Sequence, residues 1–117
     1  MAGRYRLTVR EGPRVQRVAF ATLPEALDAL AARVSDLAAR VRRPTVDIKT
    51  RQFAPDQQVA ARAQLAEGGR LLSRALGGVD VRGDGSTEAY TGGVHREVVQ
   101  ARRGETSAQA LRRALET

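Results

Sequence analysis

The chain of 117 residues contains no cysteine and no tryptophan, one histidine, and only two tyrosines and two phenylalanines. Each scarcity removes a class of chemistry. Without cysteine there is no disulfide framework, no thiol nucleophile and no sulfur ligand for a metal, and one histidine cannot build a multi-histidine site. No stretch approaches 18 consecutive apolar residues, and no charged-then-apolar leader opens the sequence. Neither a membrane span nor a signal peptide is therefore expected, and a soluble, cytoplasmic protein is. The Walker sequence, Gly-x-Gly-x-x-Gly and Gly-x-Ser-x-Gly are all missing, which removes the common nucleotide and hydrolase motifs. No catalytic residue, cofactor or metal ligand is assigned, and a non-catalytic protein is expected.

The sequence is 42% apolar, but 20 of those residues are alanine, so few side chains are large enough to fill a core. Leu, Ile, Val and Phe still exceed the level typical of disordered chains. No linker, repeat or low-complexity tract divides the sequence, so one α+β domain over residues 1–117 is expected. The 20 basic residues outnumber 13 acidic ones, and the net charge of +7 draws a small domain toward nucleic acid or another polyanion. All the basic residues but Lys49 are arginine. With the alanine excess this fits a G+C-rich coding bias, so where the charge sits says more than its identity. More than half of it lies in the first 21 residues.

Tyr5, Leu7 and Val9 alternate with Arg4, Arg6, Thr8 and Arg10, the period of a half-buried strand. A second strand comes next at about 15–21. Pairing Arg10 with Val15 across a four-residue loop, Glu11-Gly12-Pro13-Arg14, sets Leu7 opposite Val18 and Tyr5 opposite Phe20. A two-residue Gly12-Pro13 turn keeps the same parity but, in type I′ form, needs a positive φ that the proline ring forbids. In this register Arg4, Arg6, Arg10 and Arg17 all lie on the face away from the core. Thr22-Leu23-Pro24-Glu25 is a capping box. Leu23, Leu27, Leu30, Val34, Leu37 and Val41 then form one stripe along a helix of about 20 residues. Arg42 and Arg43 complement its C-terminal dipole and Pro44 stops it. The stripe is expected to pack on the hairpin, with a coiled-coil dimer as the alternative.

Val46 to Phe53 reads as a third strand. Residues 56–67 carry two signals: alternation of Val59, Ala61, Ala63 and Leu65 favours a strand, and alanine-rich composition favours a helix. The strand is preferred. Glycine pairs at 68–69, 77–78 and 92–93 divide the stretch from 68 to 100 into short extended pieces. Asp84-Gly85 reads as a type I′ turn joining Val79–Arg82 to Thr87–Tyr90, which sets Val81 opposite Glu88 and Asp80 opposite Ala89. Val94 to Gln100 continues the sheet. A second capping box, Thr106-Ser107-Ala108-Gln109, opens a short helix with Ala108, Leu111 and Leu115 inward. The fold expected is α+β: a mainly antiparallel sheet made of an N-terminal hairpin and further strands, with the long helix and the short C-terminal helix on one face.

Several constellations invite a functional reading. Arg82-Gly83-Asp84 is the tripeptide that integrins recognise, but without a secretion signal it is better explained as hairpin punctuation. Asp80, Asp84 and Gly85 match the start of a calcium loop. Arg82 and Thr91 then occupy two ligand positions, and the hairpin register puts Asp80 and Glu88 on opposite faces. His95 and Glu97 would share a strand face, yet no serine or threonine can be assigned beside them as nucleophile. The set worth following is Arg4, Arg6, Arg10 and Arg17. Like charges crowded on a sheet face are unfavourable unless a carboxylate or an anionic partner relieves them. Arg42, Arg43, Arg102, Arg103, Arg112 and Arg113 extend this set, although the pairs at helix ends are also explained by the helix dipole. The competing reading is a solvated face in an arginine-biased sequence. With Tyr5 and Phe20 needed by the core, only Phe53 and Tyr90 remain as stacking platforms, so contact with phosphates and helix shape is expected rather than base reading.

The order of elements resembles the βαβββα plan of ribosome-hibernation factors and, in part, the αβββα plan of double-stranded-RNA-binding domains. Gly104 to Leu111 resembles the start of the last helix in the latter but lacks its paired lysines, so no functional residue is carried across. The functional expectation is a small basic module that binds structured RNA or a ribosome-like polyanion through Arg4, Arg6, Arg10 and Arg17 with help from Arg42 and Arg43. The alternative is a homodimer, formed through a sheet edge or the helix stripe, that binds an acidic protein.

Overall fold

Alternation at the N-terminus produces a hairpin, β1 (Tyr5–Glu11) and β2 (Arg14–Phe20), in a computed structural model that describes residues 4–42, 59–69 and 72–116. Its register pairs Tyr5 with Phe20, Leu7 with Val18 and Arg10 with Val15, as expected. Pairing continues to Glu11 and Arg14, however, so the turn is Gly12-Pro13 alone and not a four-residue loop. Gly12 has φ +58°, the sign that a type II′ turn requires at its first central position. The second position of that turn takes the negative φ that proline supplies.

The long helix α1 (Leu23–Arg42) starts at Thr22, whose hydroxyl accepts from the Glu25 amide at 3.3 Å and donates to the Glu25 carboxylate at 2.9 Å. Leu27, Leu30, Val34 and Leu37 of its stripe are buried, and Leu23 and Val41 partly so. They pack across β1 and two later strands, β3 (Val59–Gly68) and β4 (Ser73–Arg82), so the stripe is covered within the chain. Two short strands, β5 (Thr87–Thr91) and β6 (Glu97–Val99), complete a six-stranded sheet of order β2-β1-β3-β4-β5-β6 with every pair antiparallel. The strand reading of 56–67 holds from Val59 onward, and the expected strand from Val46 to Phe53 lies outside the described residues.

Two local expectations are corrected. Gly77-Gly78 does not end a strand but sits inside β4, beside a bulge at which Leu65 faces Gly77 while Ala66 faces Ala75. The β4–β5 turn is a three-residue loop, Gly83-Asp84-Gly85. The Arg82 amide donates to the Ser86 carbonyl at 2.8 Å, the Gly85 amide donates to the Arg82 carbonyl at 2.9 Å, and Gly85 has φ +87°. A turn followed by one left-handed glycine is the other common hairpin solution. It shifts the register by one residue, to Val81 with Thr87 and Asp80 with Glu88. Asp80 and Glu88 therefore point to the same face, against expectation.

The short helix α2 (Ser107–Glu116) opens on a complete capping box. The Gln109 amide donates to the Thr106 hydroxyl at 3.1 Å, and the Thr106 amide donates to the Gln109 side chain at 2.7 Å. Ala108, Ala110 and Leu111 are buried and Leu115 partly so. Both helices cover the sheet face formed by Leu7, Val9, Ala63, Leu65, Val79 and Val81. Seven of the buried residues are alanine, which lets the helices approach the sheet closely and keeps the core small. No described helix is long and apolar enough to cross a membrane.

Candidate functional site

The second face of the sheet has no described helix on it, and the register fixes what it displays. One cross-strand row runs Val15, Arg10, Arg62, Asp80, Glu88, and the next runs Arg17, Thr8, Gln64, Gly78, Tyr90, Val98. Arg6 lies between Ala19 and Ala66 in a third. The face is thus polarised. Arginine without a carboxylate dominates at β2 and β1, and ion pairs dominate at β3, β4 and β5.

The pairs are specific. Arg62 bonds Asp80 through Nε at 2.5 Å and through Nη2 at 3.4 Å, which raises the guanidinium pKa. Arg82 bonds Glu88 at 2.7 Å. Each of the two opposed carboxylates therefore has its own cation, and no group of three acidic or histidine side chains suited to a metal occurs among the described residues. Arg82 is engaged in this pair, and Asp84 accepts from the Ser86 amide at 2.9 Å and the Ser86 hydroxyl at 2.6 Å. Those bonds hold Asp84 below the usual carboxylate range. The Arg-Gly-Asp tripeptide is thus built into its own hairpin. His95 stands in an exposed loop and Glu97 on β6, so the two do not share a strand face.

The six arginines expected to bind are distributed unevenly. Arg6, Arg10 and Arg17 share the helix-free face, and none has a carboxylate partner among the described residues. Arg4 lies just before β1 and pairs with Glu67 at 3.0 Å, a carboxylate it shares with Arg74. Arg42 is the last residue of α1, in the helical layer on the other side of the sheet, and Arg43 lies outside the described residues. The arginines of α2 are neutralised locally: Arg112 bonds Asp28 of α1 at 2.7 Å, and Arg113 bonds Glu105 at 3.0 Å. The second of these bonds, with the Arg102 amide, lowers the Glu105 pKa to about 2.

Tyr90 does not serve as an open stacking platform. It is 3% exposed yet does not belong to the main core, because it lies on the opposite face. Its ring rests over Gly78, where any Cβ would collide with the phenol and with the Ala63 carbonyl. The Arg96 guanidinium sits 4.5 Å and the Arg62 guanidinium 5.9 Å from the ring centroid, both within cation–π range. Burial pushes the phenol pKa up, opposed by the two arginines. Sequence reasoning left out Arg62 and Arg96. A tyrosine facing a glycine pair on the adjacent strand was the available signal, since an aromatic side chain commonly covers such a gap. Comparison with protein-family models, curated protein sequences and solved structures finds no match for this chain.

Proposed function

We propose that the helix-free face at β1 and β2 binds structured RNA through its phosphates. The observation that carries this reading is the contrast in pairing. Seven described arginines, at positions 4, 40, 62, 74, 82, 112 and 113, have carboxylates within ion-pair distance. Arg14, Arg33, Arg96, Arg102 and Arg103 have none among the described residues, and neither do Arg6, Arg10 and Arg17, which differ in being neighbours on one sheet face across two strands. Their mutual repulsion is relieved by an anion laid along the sheet, and the scarcity of accessible aromatics favours phosphate contact over base stacking.

The test is the salt dependence of affinity for duplex RNA, single-stranded RNA and duplex DNA of equal length. Alanine at Arg6, Arg10 and Arg17 together is expected to weaken duplex-RNA binding and reduce the log–log salt slope by about three, roughly one per phosphate contact. An unchanged affinity and slope would show that this surface is not the interface.

A second reading, self-association, is favoured by the open edge of β2. Val15 and Val18 on that strand are 38% and 46% exposed, and its outer backbone groups face no described strand. Light scattering at high protein concentration decides it. A monomer removes this reading and leaves RNA binding intact.

A further inference from the structure

Tyr90 presents a contradiction that the packing alone does not resolve. Its hydroxyl is the one buried side-chain polar atom among the described residues that has no hydrogen-bond partner. A buried unsatisfied hydroxyl destabilises a fold, and phenylalanine would fill the same space over Gly78 without that cost. The hydroxyl also lies on the arginine face, in the same cross-strand row as Arg17, Thr8 and Gln64. Lying over Gly78 of β4, it is three strand spacings, roughly 14 Å, from Arg17 along that row.

The group stacked on its ring is movable. Arg96 is an exposed residue of the β5–β6 loop, held by stacking on the ring and by one bond from its Nε to the Gly93 carbonyl at 3.1 Å. No carboxylate partner claims its terminal amino groups among the described residues. A cation–π contact at the surface is weak beside a guanidinium–phosphate bond, so an arriving phosphate draws Arg96 outward.

We propose that Tyr90 and Arg96 form a phosphate seat on the sheet face: a backbone phosphate of RNA pulls the Arg96 guanidinium off the ring, and the uncovered Tyr90 hydroxyl donates to a phosphate oxygen. This rests on the RNA reading and extends it, from the β2–β1 arginines across the sheet to β5. Arg62, tied to Asp80, stays in place as the wall of the seat.

Tyr90→Phe tests it, because stability and binding move in opposite directions. The variant is expected to melt at or above the temperature of the unaltered protein, since it removes an unsatisfied group. It is expected to bind duplex RNA about tenfold more weakly, the effect of one hydrogen bond to a charged acceptor, with an unchanged salt slope. Arg96→Ala is expected to lower the slope by about one. Full affinity in Tyr90→Phe would overturn the proposal, and so would a lowered melting temperature, which would mean the hydroxyl has a partner inside the protein. A separate titration with inorganic phosphate, followed by NMR at the Tyr90 ring and the Arg96 Nε–H, isolates the seat from the RNA reading. Shifts at both groups in a protein that fails to bind RNA would sustain the seat alone, and no shift at either would remove it.

Discussion

Glu105 shows how one half-buried carboxylate ties the start of α2 to its last turn. It accepts from the Arg102 amide at 2.9 Å and from Arg113 Nε and Nη2, each at 3.0 Å. These bonds favour the charged form and hold the pKa near 2. Since the folded value lies below the unfolded one, near 4.3, the stabilisation is complete above about pH 4.5 and disappears as pH falls toward 2. Glu105→Gln is therefore expected to melt below the unaltered protein at pH 6, with the two curves converging by pH 2. Thermal denaturation at stepped pH measures this. Gly78 is a second decisive residue. Alanine there meets both the Tyr90 hydroxyl and the Ala63 carbonyl, and overpacking of this kind costs about 1–3 kcal/mol. Adding Tyr90→Phe is not expected to restore the loss in chemical denaturation, because the backbone carbonyl is the closer obstacle.

At the level of elements, the two helices differ in how they begin. The box at Thr106 is reciprocal, with both backbone amides satisfied, whereas at Thr22 only the Glu25 amide is. Thr106→Ala is expected to cost about 0.5–2 kcal/mol, at the upper part of that range, and Thr22→Ala less. Urea unfolding of both variants gives the comparison. The long helix is held by its stripe, so Leu30→Ala, fully buried against the sheet, is expected to cost about 2–5 kcal/mol. These elements were legible in the sequence because apolar spacing and capping residues are local signals. The N-terminal register was legible for a related reason: alternation on both strands leaves one parity that brings Leu7 to Val18. The β4–β5 register was misread because glycine flanks Asp84 on both sides, so two turn geometries fit the same residues. Parity decides between them, since only the three-residue loop places Val79, Val81 and Ala89 on one face.

Across the whole molecule, most of the arginine-rich face was foreseeable and its far half was not. Arg6, Arg10 and Arg17 follow from strand alternation and one turn. Arg96 reaches Tyr90 from a loop without any period, and Arg62 meets Asp80 through a register that depends on the bulge in β4. The same global view shows where the +7 charge resides: the arginines matched by carboxylates cancel within it, so the excess is carried by unpaired ones such as Arg6, Arg10 and Arg17. The open edge of β2 adds one expectation at this scale. If copies associate there, Val18→Lys is expected to lower the mass measured by light scattering at high concentration, because a charge at an exposed edge disfavours strand addition.

The position of β1 between β2 and β3 has a temporal consequence. Its inner partners, Ala61 to Glu67, lie about fifty to sixty positions further along the chain. A ribosome needs roughly 3–12 s to synthesise that stretch. Until then the nascent hairpin lacks the inner neighbour of β1, and α1 lacks the β3 and β4 part of the surface on which its stripe packs. Exposure of this surface is therefore expected to be greatest before the third strand exists, and the sequence separation of the β1–β3 ladder is expected to make its formation slower than that of the hairpin.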